Sequence, residues 1–425
     1  MKNKNIKNQN LYDFNSYTIK LFNVLSFFRI SPSNNTTFFK KACSTCFLIY
    51  FLTFGLSILT LEIIKFKDID DLDSLSSIIP ETCFTALGVF KWFYCILNID
   101  KLKKVLKALE TCHKLGYKIN DKDKEYKIYH GIMLKAKKSS ELFMILWYIF
   151  VVVGVSQWST NPIIKDYYKN LYIHKNNDYN ISLSRSYPVE IYLPIEVNSF
   201  KRYVMLYICN ACAIVGAGIG MNSCDILCVF IMIFISAHLK YLNDCLIDIK
   251  DLKLIMSSNN PYDEFKKKLK NCIIYHQQIL EVYRVYEDYS TRVLFVQCIE
   301  NTVGLCLLSL RASTMKYSPS IDFWMPFTSL LEYSIGIAIE LSVFCYFGTQ
   351  LEELGLKVGD SFFSSYWERL PQLDTQKILL FGIINAQKPI LITGGPFYIL
   401  NLPTFKTLIY MSISNAVVLR QLAED

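Results

Sequence analysis

Seven stretches of mainly apolar residues dominate this chain, at 42–64, 75–98, 142–164, 203–235, 293–310, 327–347 and 402–419. A bilayer interior about 30 Å thick takes about 20 such residues in helical form, because lipid offers no hydrogen-bond partner to an open backbone. The expected fold class is therefore all-α: a polytopic membrane protein with seven transmembrane helices. Of 425 residues only 19% are charged and 52% are hydrophobic. A soluble domain carries about a quarter charged residues. That balance argues against a disordered chain, a nucleic-acid binder and an ordinary cytosolic enzyme. As a helix, the stretch 203–235 would be about 50 Å long, so it should tilt or project beyond the membrane.

Charge orients the spans. Residues 1–41 hold seven Lys or Arg against one acid, residues 99–141 hold twelve Lys, and residues 236–290 hold eight Lys or Arg. Residues 66–74 carry Lys67 against Asp68, Asp70, Asp71 and Asp73, and residues 311–323 are nearly neutral. Lys and Arg accumulate in cytoplasmic loops, which predicts a cytoplasmic N-terminus and an extracellular C-terminus. The opening MKNKNIKNQN has no apolar core, so the first span should serve as its own insertion signal. None of the fourteen cysteines falls in the loops assigned to the exterior, so no disulfide framework is expected. Cys43/Cys46 and Cys209/Cys212 have CxxC spacing but sit in apolar helices, where packing is the reading. Of the sequons at Asn34, Asn35 and Asn180, this topology leaves only Asn180 open to glycosylation.

On this map an amphipathic cytoplasmic segment (1–41) precedes spans one and two (42–98) and a cytoplasmic helical loop (99–141). Spans three and four (142–235) enclose an extracellular loop at about 165–202 and lead to cytoplasmic anchor helices (236–290). Spans five and six (291–347), a second cytoplasmic anchor segment (348–401) and the last span with its tail (402–425) complete the chain. The cytoplasmic segments are patterned for helices. Leu102, Val105, Leu106, Leu109, Cys112 and His113 form one stripe, and Leu269, Cys272, Ile273, His276, Leu280 and Tyr283 a second. A third, through Leu11, Phe14, Thr18, Leu21, Leu25 and Phe28, is expected to lie at the membrane interface. These stripes need partners, either extensions of the long spans or another subunit.

Catalytic chemistry is not legible. The five histidines are scattered, no nucleophile–base spacing occurs, and no cofactor or metal is implied. The run Gly216-Ala217-Gly218-Ile219-Gly220 lies inside a span without a preceding strand, so it reads as close helix packing or room for a ligand. Thr302-Val303-Gly304 resembles a fragment of a potassium filter, but the full TVGYG is absent. Glu81, Lys91, Asp225, Glu300, Glu332 and Glu340 are costly in lipid and should pair between helices or line a water-filled path. Phe90, Tyr94, Gly154, Trp158, Tyr203 and Tyr207 are the candidates for an apolar ligand pocket with a few hydroxyls. Such a lining suits a small ester, alcohol, aldehyde or terpenoid, and not a charged amine, because no carboxylate is evident among them.

Four blocks in order carry a resemblance. Leu269-Lys270-Asn271-Cys272 through His276 and Ile279-Leu280 resembles the helix before the fifth span of insect odorant receptors. Cys345-Tyr346-Phe347-Gly348 followed by Ser361-Phe362-Phe363-Ser364-Ser365-Tyr366-Trp367 is similar to their sixth-span exit. Gln387-Lys388-Pro389, Leu391-Ile392-Thr393-Gly394-Gly395 and Leu402-Pro403-Thr404-Phe405 resemble their final segment, which ends here in Ser412-Ile413-Ser414-Asn415-Ala416-Val417-Val418-Leu419-Arg420-Gln421. The family commonly has tyrosine where Asn415 stands, and the sister gustatory pattern is matched only faintly by Ser414-Asn415 and Gln421-Leu422. The connection between spans four and five, about 55 residues, lacks the longer insertion of the universal coreceptor.

The resemblance implies a ligand-tuning subunit of an odorant-gated, non-selective cation channel. Its partners would be the odorant receptor coreceptor, in a heterotetramer, a small volatile odorant and membrane lipid, with no nucleic acid. Each subunit would contribute its seventh helix to a central pore, with Val418, Gln421 and Leu422 at the gate. The implied location is the plasma membrane of sensory dendrites in olfactory neurons. A gustatory-type channel subunit and a seven-helix G-protein-coupled receptor are the alternatives. The latter calls for an external N-terminus and an Asp-Arg-Tyr or Asn-Pro-x-x-Tyr motif, and Asn260-Pro261-Tyr262 falls in a loop assigned to the cytoplasm.

Overall fold

The computed structural model describes residues 14–27, 30, 38–65, 67, 72–119, 123–175, 185–189, 191–192, 199–248, 261–315, 317–365 and 373–424. Leu11, Phe28, Asn34, Asn35 and Asn180 lie outside them. Ten helices account for almost all of the described chain: α1 (Asn15–Phe27), α2 (Phe38–Tyr50, a π-helical turn Phe51–Gly55, then Leu56–Lys65), α3 (Leu72–Leu97), α4 (Ile99–Lys118) and α5 (Asp123–Lys175) come first. They are followed by α6 (Phe200–Asp248), α7 (Pro261–Thr314), α8 (Ile321–Phe363), α9 (Leu373–Ala386) and α10 (Leu402–Glu424).

Five of these, α2, α5, α6, α7 and α8, are long and apolar enough to cross a membrane. A sixth span arises if α3 and α4 are taken together across the 66° bend between them. Asn98 occupies that bend and its side-chain amide donates to the Tyr94 carbonyl at 3.0 Å, closing the end of α3. The seventh apolar stretch forms α10, but Thr404, Lys406, Thr407, Ser412, Ser414 and Asn415 dilute it, and it is not among the helices apolar enough to span alone.

Burial separates inner from outer helices. The most apolar window of α6 is 89% buried, whereas that of α5 is 17% buried. Leu142, Ile145, Leu146, Ile149, Val152 and Val153 make a helical stripe on α5 whose members are all more than half exposed. In water such a stripe would be costly; against acyl chains it is at home. α6 is the central post. Its run of small residues is explained by its crossing with α3: a Cβ on Gly88 would collide with the Ala217 carbonyl, and one on Gly220 would stand 2.6 Å from the Gly88 carbonyl. Glycine at both positions lets the two backbones meet.

The basic loops are not separate modules. α5, α6 and α7 each run unbroken from an apolar half into a polar half, and the shorter helices pack on those extensions. Leu102, Val105, Leu109 and Cys112 of α4 are fully buried, and Gln278 of α7 donates to the Ala108 carbonyl at 3.4 Å. The second stripe is buried likewise at Leu269, Cys272, Ile273 and His276. Both therefore find partners within the chain. α1 differs from expectation. Phe14, Thr18, Leu21 and Leu25 are buried; the Phe14 ring meets Phe234 and His113 at 5.9 and 5.6 Å, and the Tyr17 hydroxyl meets His130 Nδ1 at 2.9 Å. Rings from three other helices, not lipid headgroups, cover its apolar face.

A two-residue hairpin interrupts the helices. Thr393–Gly394 (β1) pairs antiparallel with Tyr398–Ile399 (β2), and Gly395 turns the chain at φ +65°, a conformation that favours glycine. Glu287 holds this hairpin against α7 by accepting from the Thr393 amide at 3.1 Å and from its hydroxyl.

Candidate ligand-binding site

Helices α3, α5, α6 and α8 converge on a cavity of about 80 Å³. α3 supplies Glu81 and Phe84, and α5 supplies Trp147, Phe150, Val151, Gly154, Val155 and Trp158. α6 adds Ile214, Gly218, Met221 and Asn222, α8 adds Glu332, Tyr333, Gly336 and Ile337, and Val189 closes the wall. Three glycines from three helices leave the room. A Cβ on Gly218 would lie 3.2 Å from Val155, and one on Gly336 would lie 3.3 Å from Phe150. On Gly154 a methyl group would collide with Glu332 Oε1, so the carboxylate lies flat against α5 where a side chain is missing.

The polar groups are few and convergent. Trp158 Nε1 donates to Glu332 Oε2 at 3.0 Å, and its ring meets that of Tyr333 edge-on at 6.2 Å. The Tyr333 hydroxyl is engaged away from the cavity, 2.9 Å from Glu300 Oε1 and 3.2 Å from the Pro80 carbonyl. Asn222 is 1% exposed, and both ends of its amide are without a partner among the described residues. Carboxylates at Glu332 and Glu81 thus line the cavity, contrary to the expectation of a lining without them. Span six was legible, but which of its faces turns inward is settled by packing; Glu332 and Gly336, one turn apart, share that face.

Of the residues singled out from sequence, Gly154 and Trp158 line this cavity. Phe90 and Tyr94 instead border a cleft with Thr291, Phe295 and Gly395, where the Tyr94 hydroxyl donates to the Tyr289 carbonyl at 2.6 Å. Tyr203 and Tyr207 brace the chain end of α5. The Tyr203 hydroxyl donates to the Ser186 carbonyl at 3.0 Å, and that of Tyr207 to the Ser159 carbonyl. A wider vestibule of about 420 Å³ adjoins the cavity, shares Glu81, Trp158 and Tyr333 with it, and is bordered by Lys65, Lys165, Arg185 and Arg311. Partial burial raises the Tyr187 hydroxyl there above its ordinary pKa, and Arg185 opposes the shift, so the tyrosine stays neutral at physiological pH.

Below the cavity lies a charge cluster. Lys91, fully buried on α3, reaches Asp225 of α6 at 2.7 Å and Glu340 of α8 at 2.8 Å. These are three of the six charged groups singled out from sequence as lying in or near spans, and pairing between helices is what the structure assigns them. Gln297 and Asn301 of α7 are also buried, with side-chain amides lacking partners among the described residues.

The family model for the 7tm odorant receptors matches residues 71–413. The chain belongs to the 7tm odorant receptor family. Odorant receptor 67c of Drosophila melanogaster is 22% identical over 391 residues, covering 89% of each chain. Odorant receptor 83a of the same species is 23% identical over 174 residues, 41% of this chain and 38% of that protein. The solved structure of olfactory receptor OR5 from Machilis hrabei in complex with eugenol superposes with a TM-score of 0.72 at 16% identity, over 97% of this chain and all of that one. The fold is thus that of a multi-pass insect olfactory receptor.

In this odorant-receptor chain α10 lies along α7. Leu408, Ser412 and Ala416 are its buried stripe, and Ser412 Oγ donates to the Thr302 carbonyl at 3.4 Å. The opposite face carries Tyr410, Ile413, Val417 and Val418, each half exposed or more. Gln421 is exposed, and the side chain of Leu422 lies outside the described residues.

Proposed function

We propose that this chain is the ligand-tuning subunit of an odorant-gated, non-selective cation channel, assembled with the odorant receptor coreceptor as a heterotetramer in the plasma membrane of olfactory dendrites. The observation that carries the reading is the partly enclosed cavity among α3, α5, α6 and α8, apolar but edged by Trp158 and Glu332, in a chain of this family. Enclosure among apolar walls with a few convergent polar groups is what a small-molecule site requires. The N-terminus is inside and the C-terminus outside, as the Lys and Arg distribution directs. A volatile in the cavity favours whichever helix arrangement binds it better, by no more than its difference in affinity between the two.

The pore reading is supported by α10. One face is fixed to α7, and the other exposes a row of apolar residues through Val418. Four such helices brought together at Val418 and Leu422, with Gln421 beside them, form an apolar constriction that gates by dewetting. Phe90, Tyr94, Tyr203 and Tyr207 act one layer outside the cavity, by holding the helices that form it.

The test is co-expression with the coreceptor and recording of current evoked by a broad panel of volatiles, with surface delivery measured in parallel. Responses are expected in the wild type and a loss of about tenfold or more in sensitivity in Trp158→Ala, because a buried aromatic and its hydrogen bond go together. Silence to the whole panel despite surface delivery defeats the reading.

A further inference from the structure

The cavity has a feature that an all-purpose apolar pocket lacks: an acid with no cation. Among the described residues its lining contains no Lys, Arg or His. The hydrogen bond from Trp158 is the one hydrogen bond that the Glu332 carboxylate accepts among the described residues. The second acid of the lining, Glu81, is already engaged with the protein. A carboxylate held between membrane helices with a single donor is expensive, and intramembrane acids of this kind commonly pair with a cation. Asp225 and Glu340 have such a partner in Lys91, and Glu300 and Glu62 accept from the hydroxyls of Tyr333 and Thr85; Glu332 is set apart by facing the cavity.

A second observation points the same way. Asn222 borders the same cavity, is 99% buried, and has neither end of its amide satisfied among the described residues. Buried amides are ordinarily hydrogen-bonded. The wall therefore offers a charged acceptor on α8 and a neutral amide on α6, with apolar side chains between. Size sets the rest: about 80 Å³ is about half of the roughly 150 Å³ that accommodates benzene in an engineered cavity.

We propose that the preferred ligand of this site is a small aliphatic amine, its ammonium group donating to Glu332 and its short chain lying against Val151, Val155 and Ile337. This assignment rests on the ligand-gated reading above and reverses the chemistry expected from sequence. The Asn222 amide takes a second ammonium proton or a water beside it. Gly154 is what makes the arrangement possible, since any side chain there would displace the carboxylate. The cations bordering the vestibule, Lys65, Lys165, Arg185 and Arg311, slow the approach of an ammonium ion. Three of them have partners of their own, and exposed charge is screened beyond about 8 Å at physiological salt. Affinity is set at Glu332, where the pair is desolvated.

The experiment uses the full chain co-expressed with the coreceptor, with surface protein quantified, and compares n-butylamine with 1-butanol, which has the same number of non-hydrogen atoms. The half-maximal concentration for butylamine is expected about fivefold to tenfold below that for butanol, the range for a hydrogen bond to a charged group over a neutral one. Glu332→Gln, which keeps the acceptor for Trp158 but removes the charge, should erase most of that advantage and shift butanol by less than about threefold. Glu332→Asp should retain the amine preference. The proposal is overturned if wild type responds to butanol or other neutral volatiles and not preferentially to butylamine, or if Glu332→Gln moves both ligands equally. Wild type at the surface, silent to these and to every other volatile, would instead overturn the ligand-gated reading itself. Should Glu332→Gln fail to reach the surface, the wild-type ratio alone decides.

Discussion

Replacing Lys91 by methionine tests how the membrane half of this protein is held together. The Lys91 ammonium lies 2.7 Å from Asp225 and 2.8 Å from Glu340, and all three side chains are within 2% of complete burial. One cation therefore ties α3, α6 and α8 together at a level where neither lipid nor water can replace it. Methionine keeps the length and removes the charge, leaving two carboxylates facing one another. Breaking a buried ion pair by deleting one partner costs about 3–5 kcal/mol, because the remaining charge is uncompensated. Each kcal/mol moves the melting midpoint by about 2–4 °C in a domain of 150–250 residues. Scaled inversely with size to this chain, the expected loss is about 3–10 °C. The assay is a heat step on detergent-solubilised, fluorescently tagged receptor, followed by size-exclusion chromatography to measure the surviving monodisperse fraction. A triple variant, Lys91→Met with Asp225→Asn and Glu340→Gln, should regain at least half of the loss, since an ion cluster replaced as a whole is often neutral in stability. A Lys91→Met variant that melts within about 1 °C of wild type, or a triple variant less stable than the single one, would show that this cluster does not hold the three helices together.

Two further outcomes follow from the fold and the topology. Gly88→Ala, whose new methyl meets the Ala217 carbonyl of α6, should lower the same midpoint by an amount corresponding to about 1–3 kcal/mol, while Gly131→Ala, with open space around it, should not; equal effects would show that the α3–α6 crossing is not tight. On the proposed topology, which puts residues 165–202 outside the cell, Asn180→Gln should remove an endoglycosidase-sensitive mobility shift, and a glycan mapped to Asn34 or Asn35 instead would reverse that topology.

The stripe Leu102, Val105, Leu109 and Cys112 was legible in the sequence because apolar spacing near 3.6 identifies the face of a helix that must be covered. What covers it was not, because α7 meets α4 across more than a hundred and fifty residues of chain, as in the Gln278–Ala108 contact. The same limit explains α1. Its apolar face was visible, but an interfacial lipid layer and a ring cluster of Phe234, His113 and His130 satisfy one pattern equally well. The candidate site divides along the same line. Gly154 and Trp158 lie one turn apart on one helix, so their shared face is a local property. Phe90, Tyr94, Tyr203 and Tyr207 also form local aromatic faces, yet each turns to a neighbour outside the cavity.

By itself, the sequence determined that this chain is a bundle of membrane helices with basic, helical loops, because apolar length and the placement of Lys and Arg are one-dimensional quantities. Its final blocks carried the family. Tertiary structure alone decided which intramembrane acid has a cation and which does not. Lys91 closes on Asp225 and Glu340, while Glu332, no less acidic in the sequence, faces a cavity with Trp158 as its single donor. Electrostatic pairing depends on distance between helices, and distance between helices is set by where glycine lets them approach.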